Sequence, residues 1–286
     1  MADRKTAVVT GSSGFLGRHT VEALRAAGWR VLTSGRSQLA GRLPDVPLDI
    51  SRPQDVIPSL ECVDFDAIIH LAAKIEWQTN VEGELFASNV LATGCIAEVA
   101  TRKKAKLVVS SSVAVHGACI NSITPASMEI ADTPYGVSKL LGDKLVQASG
   151  ARHCIIRFGG LFGLGGPGHL GLNRAVSGIL AGEPPVIVGS GLARRNYLYV
   201  KDAAEAVVSA LEDDVGGIHL CAGHETLSIG EMLHAACDTL APGLQPLHRE
   251  GSEAADQIIE PSSALPRSRS FTAALRDIAS DAVRCG

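Results

Sequence analysis

Short apolar segments alternate with longer segments of helical periodicity through the first half of the chain. The apolar segments are rich in valine, isoleucine and leucine, which is typical of strands buried on both faces of a parallel sheet. They cover residues 7–10, 30–33, 67–71, 106–110 and 153–157. Apolar residues recur at helical spacing between them, over residues 15–27, 85–101 and 135–149. The alternation predicts an α/β fold with a doubly wound parallel sheet.

The second half of the chain has a different pattern. Residues 159–171 contain seven glycines and one proline, so we expect a flexible loop there. A helix over 172–181, a strand over 186–188 and a helix over 202–212, with Asp202 as its N-cap, should follow. Weak periodicity after about residue 240 indicates a poorly defined tail. We therefore expect a first domain over 1–158, to which elements from about 192–222 return, and a smaller C-terminal α/β lobe over 159–286.

Charge and composition argue against several classes of partner. The 286 residues include 26 Lys plus Arg and 30 Asp plus Glu, and the net charge of −4 does not favour nucleic acid. The apolar runs are far shorter than the ~20 residues of a membrane-spanning helix, and the N-terminus has no signal-peptide pattern. The seven cysteines form no CxxC pair, and the histidines show no zinc-ligand spacing. These features predict a cytoplasmic protein with reduced thiols and no metal, nucleic-acid or membrane partner.

The turn between the first strand and the first helix reads Thr-Gly-Ser-Ser-Gly-Phe-Leu-Gly over residues 10–17. Gly11 permits the tight turn, Gly14 lets the backbone approach a pyrophosphate, and Gly17 lets the helix pack closely on the sheet. The helix N-terminus also presents free N–H groups to an anion. The pattern predicts a dinucleotide site, and a purely structural strand–helix turn is the alternative.

The end of the second strand indicates which dinucleotide binds. An acidic residue there would accept a hydrogen bond from the adenosine ribose, but this chain has Gly35 followed by Arg36. A small residue beside a guanidinium makes room for a 2′-phosphate and neutralises it. NADP(H) is therefore favoured and NAD(H) is possible, unless Arg36 is only a solvated surface charge. Asp49 is positioned further along to accept a hydrogen bond from the adenine.

A tyrosine and a lysine lie one turn apart on the predicted helix over 135–149. Tyr135 and Lys139 are at positions i and i+4, so they share a helix face. We expect the ammonium to lower the pKa of the phenol and prepare it for proton transfer. Ser112 ends the strand before this helix, at the sheet edge where ligands bind in doubly wound folds. It is a candidate to hold a substrate oxygen, and a serine cap of the following turn is the alternative.

Together, these motifs resemble the extended short-chain dehydrogenase/reductase family, of the NAD-dependent epimerase/dehydratase type that includes UDP-galactose 4-epimerase. The resemblance covers about residues 5–235 and rests on the glycine turn, HLAA over 70–73, Asn89, SSSVAVHG over 110–117 and YGVSK over 135–139. It implies an N-terminal Rossmann domain, a substrate-binding lobe and a homodimer built from the helices that hold Asn89 and Tyr135.

The resemblance also implies roles for individual residues. Ser112, Tyr135 and Lys139 would be catalytic, Lys139 would hold the nicotinamide ribose, and Asn89 would support an active-site water network. The cofactor-binding residues would be Gly11, Ser13, Gly14, Phe15, Leu16, Gly17, Arg36, Asp49, Ile50, Leu71, Ala72, Ala73, Tyr135 and Lys139.

The lobe after residue 159 resembles the sugar-nucleotide branch of the family, with departures. Arg195 matches the arginine that clamps the nucleotide diphosphate, and a forked guanidinium suits that task. An ion pair with Asp202 or a neighbouring acidic residue is the alternative for Arg195. Gly160 stands where the branch has an asparagine that touches the sugar diphosphate. Val113 and Ala114 replace the acidic pair of the dehydratases, and neither can transfer a proton, so a 4,6-dehydratase is disfavoured.

Three functions remain open at this point. The first is a ketoreductase that transfers hydride between NADP(H) and a keto or hydroxy carbon, with a nucleoside-diphosphate 4-keto sugar as the best substrate. The second is a nucleotide-sugar epimerase that retains NAD and returns the hydride to the opposite face. The third is a dinucleotide-binding sensor or scaffold without turnover, which the presence of Ser112, Tyr135 and Lys139 disfavours.

Overall fold

The computed structural model describes residues 4–36, 41–75, 83–117 and 120–285. The strands are β1 (Thr6–Thr10), β2 (Arg30–Gly35), β3 (Val46–Pro47), β4 (Ala67–His70), β5 (Lys106–Ser112), β6 (Ser122–Ile123), β7 (His153–Phe158), β8 (Leu161–Phe162), β9 (Val186–Val188), β10 (Arg194–Arg195), β11 (Leu198–Tyr199), β12 (Gly217–Cys221), β13 (Leu227–Ser228), β14 (Leu247–Arg249) and β15 (Ile258–Ile259). The α-helices are α1 (Phe15–Ala26), α2 (Val56–Glu61), α3 (Gly83–Phe86), α4 (Ala92–Lys103), α5 (Pro134–Ala148), α6 (Gly171–Leu180), α7 (Val200–Glu212), α8 (Ile229–Leu240) and α9 (Phe271–Cys285).

A seven-stranded sheet has the strand order β12-β7-β5-β4-β1-β2-β3. Its pairings from β3 through β7 are parallel, and the order reverses direction at β1. The chain continues outward on one side through β2 and β3, and on the other through β4, β5 and β7. This is the α/β doubly wound sheet that the sequence predicts, and ligands in such sheets bind beyond the carboxyl ends of the strands.

Buried aliphatic side chains fix the helices on this sheet. Val8, Ile68 and Leu107 of three neighbouring strands have no exposed surface, and they belong to one cluster with Ile96 of α4 and Leu60 of α2. Strands buried on both faces favour such uninterrupted apolar runs. The apolar segments therefore determine where each strand ends. They also determine which residues lie at the carboxyl edge of the sheet, where ligands bind.

The chain divides into two compact units. The first unit contains the described residues up to 117, residues 127–158 and residues 204–219. The second contains residues 120–126, 159–203 and 220–285. The segment that returns to the first unit is thus shorter than the expected 192–222, because β10 and β11 pair with β13 and β8 of the second unit.

The tail after residue 240 is ordered, contrary to the expectation from its sequence. It contains β14, β15 and the fifteen-residue helix α9. Phe271, Ala274, Leu275 and Ile278 are buried at the spacing of one helix face. This apolar stripe was the available signal, and the prolines that precede it at 242, 246, 261 and 266 obscured it.

Two smaller expectations also need correction. Asp202 lies in the first turn of α7 rather than at its N-cap, because the helix begins at Val200. Its carboxylate instead accepts hydrogen bonds from Arg269, at 2.5 Å from Nε and 3.0 Å from the backbone N–H. The loop over 159–171 also contains β8, which pairs with β11. Among the described helices none is long and apolar enough to cross a membrane.

Candidate active site

The glycine turn after β1 is as tight as its residues allow. Gly11 has φ +67°, and a Cβ atom there would lie 2.7 Å from the backbone nitrogen of Ala72. A Cβ atom at Gly17 would lie 2.0 Å from the carbonyl oxygen of Gly11. The Gly14 N–H closes the turn by donating to the Gly11 carbonyl at 2.9 Å. Glycine is therefore required at 11 and 17 by close backbone contacts, as the sequence predicts.

The N-terminus of α1 is open to an anion. Its N-cap is Gly14, so no side chain caps the helix, and its first turn has no acidic residue. Free N–H groups and the helix dipole both favour a pyrophosphate there. The partly exposed residues around the turn and after β3 and β4 include the other expected cofactor contacts, which are Ser13, Phe15, Leu16, Ile50, Leu71, Ala72 and Ala73.

The carboxyl end of β2 has both open space and a charged pair. Apart from Gly35 itself and its two chain neighbours, no atom of the described residues lies within 4 Å of a Cβ atom built on Gly35. The Arg36 guanidinium is 3.8 Å from the Asp49 carboxylate, and the Arg36 side chain is 66% exposed. Hydrogen bonds from Ser51, with the charge of Arg36, outweigh partial burial and hold the pKa of Asp49 below its usual value. Arg36 is thus near Asp49, and both border the open space at Gly35.

The tyrosine and lysine lie in the first turns of α5. Thr133 caps this helix by accepting a hydrogen bond from the Gly136 N–H at 3.1 Å, and Pro134 occupies its first position. Tyr135 is 8% exposed and Lys139 is 4% exposed. The Ser112 hydroxyl at the end of β5 lies close enough to the Tyr135 phenol to lower its pKa. The structure therefore brings Ser112 and Tyr135 into contact, with Lys139 one turn further along the helix.

The expected lowering of the tyrosine pKa is not found. Burial and the Asp143 carboxylate together raise the pKa of Tyr135 to about 12, although the nearby Ser112 hydroxyl acts to lower it. Burial also lowers the pKa of Lys139, while Asp143 raises it. The cost of burying the phenolate, together with the negative charge of Asp143 one turn beyond Lys139, outweighs the attraction between an ammonium and a phenolate that the spacing predicts.

Each of the three serines at the end of β5 has a different partner. Ser110 donates to the His70 carbonyl at 3.3 Å, and Ser111 donates to the Asp143 carboxylate at 3.0 Å. Ser112 accepts from the Ala114 N–H at 3.2 Å, so it caps the turn Val113–His116. The cap that we considered as an alternative is therefore real. Ser112 combines this cap with its effect on the pKa of Tyr135.

Asn89 lies in a π-helical segment, Ala87–Leu91, just before α4. Its side chain exchanges hydrogen bonds of 2.8 Å with the backbone N–H and C=O of Lys74, and it donates to Ser138 at 3.0 Å. Single π-helical turns occur frequently at functional sites. A Cβ atom at Gly142 would lie 2.8 Å from the Asn89 carbonyl oxygen, so α5 packs directly on this turn.

Buried charges extend behind the tyrosine and lysine, and the sequence analysis did not find them. Asp143 is 1% exposed and accepts a hydrogen bond from Arg157 Nε at 3.0 Å. Arg157 also donates to Glu129 at 2.5 Å and lies 3.4 Å from His116 Nε2. Burial raises the pKa of Asp143, although Arg157 and Lys139 act against it. The signal was an acidic residue one turn after Lys139, on the same helix face.

Arg195, Gly160 and Tyr197 lie together in the second unit. Arg195 donates to the backbone carbonyls of Arg194, at 2.8 Å, and Ala255. Asp202 pairs with Arg269, so an ion pair between Arg195 and Asp202 is not formed. A Cβ atom at Gly160 would lie 2.6 Å from Cε1 of Tyr197, so the ring fills the space that a larger residue would need. This contact explains the glycine where the sugar-nucleotide branch has an asparagine.

Comparison with known proteins decides the family. A model of the NAD-dependent epimerase/dehydratase family matches residues 7–223. The chain belongs to this family. It is therefore an enzyme of the extended short-chain dehydrogenase/reductase type, as its motifs predict.

Members of the family are similar to this chain along most of its length. UDP-glucose 4-epimerase 4 of Oryza sativa subsp. japonica is 31% identical over 251 residues, which cover 72% of this chain and 68% of that protein. A putative UDP-glucose 4-epimerase of Methanocaldococcus jannaschii is 28% identical over 249 residues, which are 79% of each chain. The structure of UDP-glucuronic acid 4-epimerase from Bacillus cereus in complex with NAD shares the fold, with a TM-score of 0.79 at 20% identity over 98% of this chain and 99% of that one.

The residues of this family member fit the dinucleotide that the family uses. Gly11 packs against the backbone of Ala72 so closely that no side chain fits at position 11. The N-terminus of α1 carries no side-chain cap, so its N–H groups are available to a pyrophosphate. The buried Ser34 hydroxyl at the end of β2 has no hydrogen-bond partner within the described part of the chain. Also among the described residues, no group of three His, Cys, Asp or Glu side chains is placed to hold a metal ion.

Proposed function

We propose that this enzyme is a nucleotide-sugar 4-epimerase that retains NAD through each catalytic cycle. The observation that carries the proposal is that the Ser112 hydroxyl lies close enough to Tyr135 to lower the pKa of its phenol, with Lys139 one turn further along α5, in a chain whose first strand ends in the glycine turn of a dinucleotide site. The UDP-sugar 4-epimerases among its relatives support this function over the ketoreductase. The proposal thus adopts the second of the functions that the sequence leaves open.

The residues have separate roles in this reaction. Ser112 and Tyr135 hold the oxygen at the reacting carbon of the sugar, and Tyr135 in its phenolate form accepts the proton of that hydroxyl as the C–H bond breaks. NAD held at the glycine turn would supply the acceptor, and then the donor, of the hydride. Tyr135 gives the proton back to the oxygen when the opposite face of the ketone is reduced, so no proton or electron pair is lost overall. Lys139 supplies a positive charge beside the phenol while the oxygen is negative.

The second unit would bind the nucleotide. Arg195 has two carbonyl contacts that fix its side chain, and its fork geometry suits a diphosphate. We include Gly160 in this substrate site with Tyr197, whose ring lies against it. Burial raises the pKa of Tyr197 more than the Arg195 charge lowers it. Tyr197 is therefore a neutral phenol near the guanidinium. The substrate class is therefore a nucleoside-diphosphate hexose rather than a free sugar.

A test of the function follows the cofactor during turnover. The purified enzyme should interconvert UDP-glucose and UDP-galactose with no net change in absorbance at 340 nm, while free glucose is not converted. Stoichiometric oxidation of NADPH by a nucleoside-diphosphate 4-keto sugar, without epimerisation, would instead establish the ketoreductase. Neither reaction over a panel of nucleotide hexoses would contradict the proposed function.

The ketoreductase is retained as a second candidate because of the carboxyl end of β2. Gly35 leaves space for a 2′-phosphate, and Arg36 offers it a guanidinium. Tyr135 is also held as a neutral phenol, which is the form that protonates a newly formed alkoxide. Against this candidate, Arg36 already faces Asp49, and the similar epimerase from Bacillus cereus was solved with NAD.

Arg36 should control discrimination between the two dinucleotides. We expect Arg36→Ala to raise the Kd of NADP(H) about tenfold and that of NAD(H) less than about twofold, because only the former has a 2′-phosphate. Fluorescence titration with both dinucleotides measures the ratio. Arg102→Ala, a matched change at an exposed arginine paired with Glu61 and Glu98, should leave both constants unchanged. An unchanged ratio in Arg36→Ala would show that Arg36 does not contact the cofactor.

We propose that the enzyme is a homodimer through α5 and the π-helical segment that leads into α4. Leu91, Leu141 and Leu145 are 57%, 42% and 39% exposed, and Leu145 lies 3.1 Å from a Cβ atom built on Gly94. Exposed leucines on two adjacent helices are typical of an interface. Leu141→Asp should therefore convert the dimer to a monomer in sedimentation-velocity experiments. Leu43 is 73% exposed and lies outside α4 and α5, so Leu43→Asp should leave the dimer intact. Equal effects of the two substitutions would contradict this interface.

A further inference from the structure

His70 connects two parts of the candidate active site that are distant in the sequence. It ends β4, and its side chain is 1% exposed. Its Nδ1 atom lies 2.8 Å from the hydroxyl of Thr10, the residue before the glycine turn. Its Nε2 atom lies 3.0 Å from the hydroxyl of Thr93 in α4. Both ring nitrogens are thus satisfied by buried threonines from different elements.

The direction of each hydrogen bond can be assigned. Thr93 donates its single hydroxyl hydrogen to the Asn89 carbonyl at 2.8 Å, so its oxygen must accept from Nε2–H of His70. Nδ1 of a neutral ring then accepts from the Thr10 hydroxyl. Burial lowers the pKa of His70 to about 3, and the nearby Lys139 charge lowers it further, so the ring is neutral at working pH. One tautomer is therefore fixed by its neighbours.

Both ends of this connection reach the site. At one end the Thr10 oxygen accepts from the Ala72 N–H at 3.3 Å, where Ala72 contacts Gly11. At the other end the Asn89 amide donates to Ser138 at 3.0 Å. Ser138 in turn donates to the Tyr135 carbonyl at 2.8 Å. A chain of hydrogen bonds thus joins the edge of the dinucleotide site to the first turn of α5.

We propose that His70 is a positioning residue that acts through Thr10 on the dinucleotide site and through Thr93 and Asn89 on Tyr135. An aliphatic side chain would fill this buried space without desolvating four polar atoms. The hydrogen bonds of His70 instead hold Thr10 and Thr93 in one relative position, because each bond has a single allowed direction. This inference rests on the proposed function, since it assigns the two ends to cofactor binding and to proton transfer.

Separate threonine variants distinguish the two ends. Thr10→Val should raise the Kd of NAD about fivefold and leave kcat with UDP-glucose within about twofold. Thr93→Val should lower kcat about tenfold and leave the Kd of NAD within about twofold. Thr101→Val is the matched control, because Thr101 also donates to a carbonyl in α4, that of Ala97 at 2.9 Å, but lies outside this chain of bonds. It should change neither constant.

Variants of His70 test the connection itself. His70→Leu should weaken NAD binding and lower kcat. His70→Asn can replace the contact of Nδ1 with Thr10 and should recover NAD affinity. His70→Gln can replace the contact of Nε2 with Thr93 and should recover kcat. If His70→Leu does not fold, the threonine variants decide. Wild-type constants in all variants, or loss of folding stability with both constants unchanged, would overturn the inference. NAD binding is measured in the absence of substrate. If the wild-type protein binds NAD but converts no sugar, the proposed function is contradicted. The comparison of NAD dissociation constants among the variants still tests the role of His70 in that case.

Discussion

Tyr135→Phe should lower kcat for nucleotide-sugar conversion about a thousandfold, within the usual range for loss of a general acid–base group. The substitution removes only the phenolic oxygen, whose pKa the nearby Ser112 hydroxyl lowers. The ring remains to fill the buried space at the start of α5, so folding and NAD affinity should change little. Stopped-flow or coupled assays at saturating substrate measure kcat, and titration measures the NAD dissociation constant.

A second tyrosine provides the control for this experiment. Tyr199→Phe removes a phenol that donates to Asp277 in the second unit, at 2.9 Å, and it should leave kcat unchanged. If Tyr135→Phe retains most of the wild-type kcat, proton transfer occurs at another group, and the assigned role of Tyr135 is wrong. If both variants are equally impaired, the effect is structural rather than chemical.

Arg157→Met should destabilise the protein by about 3–5 kcal/mol at pH 7, because it leaves a buried carboxylate without its main partner. Arg157 is 4% exposed and Asp143 is 1% exposed, so water cannot replace the lost interaction. Glu129 also loses its hydrogen bond from Arg157, although Lys144 still contacts it at 2.5 Å. Urea unfolding of the wild-type and variant proteins measures the difference in the free energy of unfolding.

The loss of unfolding free energy in Arg157→Met should change with pH in a predictable direction. Burial raises the pKa of Asp143 in the folded protein, and loss of Arg157 raises it further. An acid with a raised folded pKa destabilises the fold as pH rises above its unfolded value of about 3.9. In the wild-type protein, Arg157 and Lys144 hold the pKa of Glu129 low, so its contribution is also lost on acidification. The difference between wild type and Arg157→Met should therefore shrink from pH 7 toward pH 4.

Two comparisons make the interpretation specific. Arg152→Met, at an exposed arginine that pairs with Asp214 at 2.9 Å, should cost less than about 1 kcal/mol at either pH. The double variant Arg157→Met with Asp143→Leu should recover much of the lost stability, because it removes the unpaired charge. A deficit in Arg157→Met that is the same at pH 4 and pH 7 would contradict the role given to Asp143.

Local patterns predicted the sheet and the cofactor turn because their physical causes lie within a few residues. The apolar runs of β1, β4 and β5 indicate burial on both faces, and Gly11 and Gly17 are required by contacts within one strand–turn–helix segment. The helix α9 was missed, although its stripe from Phe271 to Ile278 has ordinary helical spacing. Prolines before the helix favour irregular structure, and they obscure the helical periodicity that follows them.

The electrostatics of the site could not be derived from spacing. The pairing of Tyr135 with Lys139 was visible in the sequence, but the raised pKa of Tyr135 depends on burial and on Asp143. Arg157 reaches Asp143 from β7, and a contact between a strand and a helix of this kind appears only after the chain has folded. For the same reason the connection through His70 was not foreseen, since its partners come from β1 and α4.

The central claim is that Tyr135, Ser112 and Lys139 carry out reversible oxidation at one carbon of a nucleotide sugar. Conversion of UDP-glucose labelled with deuterium at C4 tests it most directly, with NMR used to locate the label in the product. We expect UDP-galactose that retains deuterium at C4, formed by the wild-type enzyme and not by Tyr135→Phe. Loss of the label to water, or equal formation of product by Tyr135→Phe, would contradict the claim.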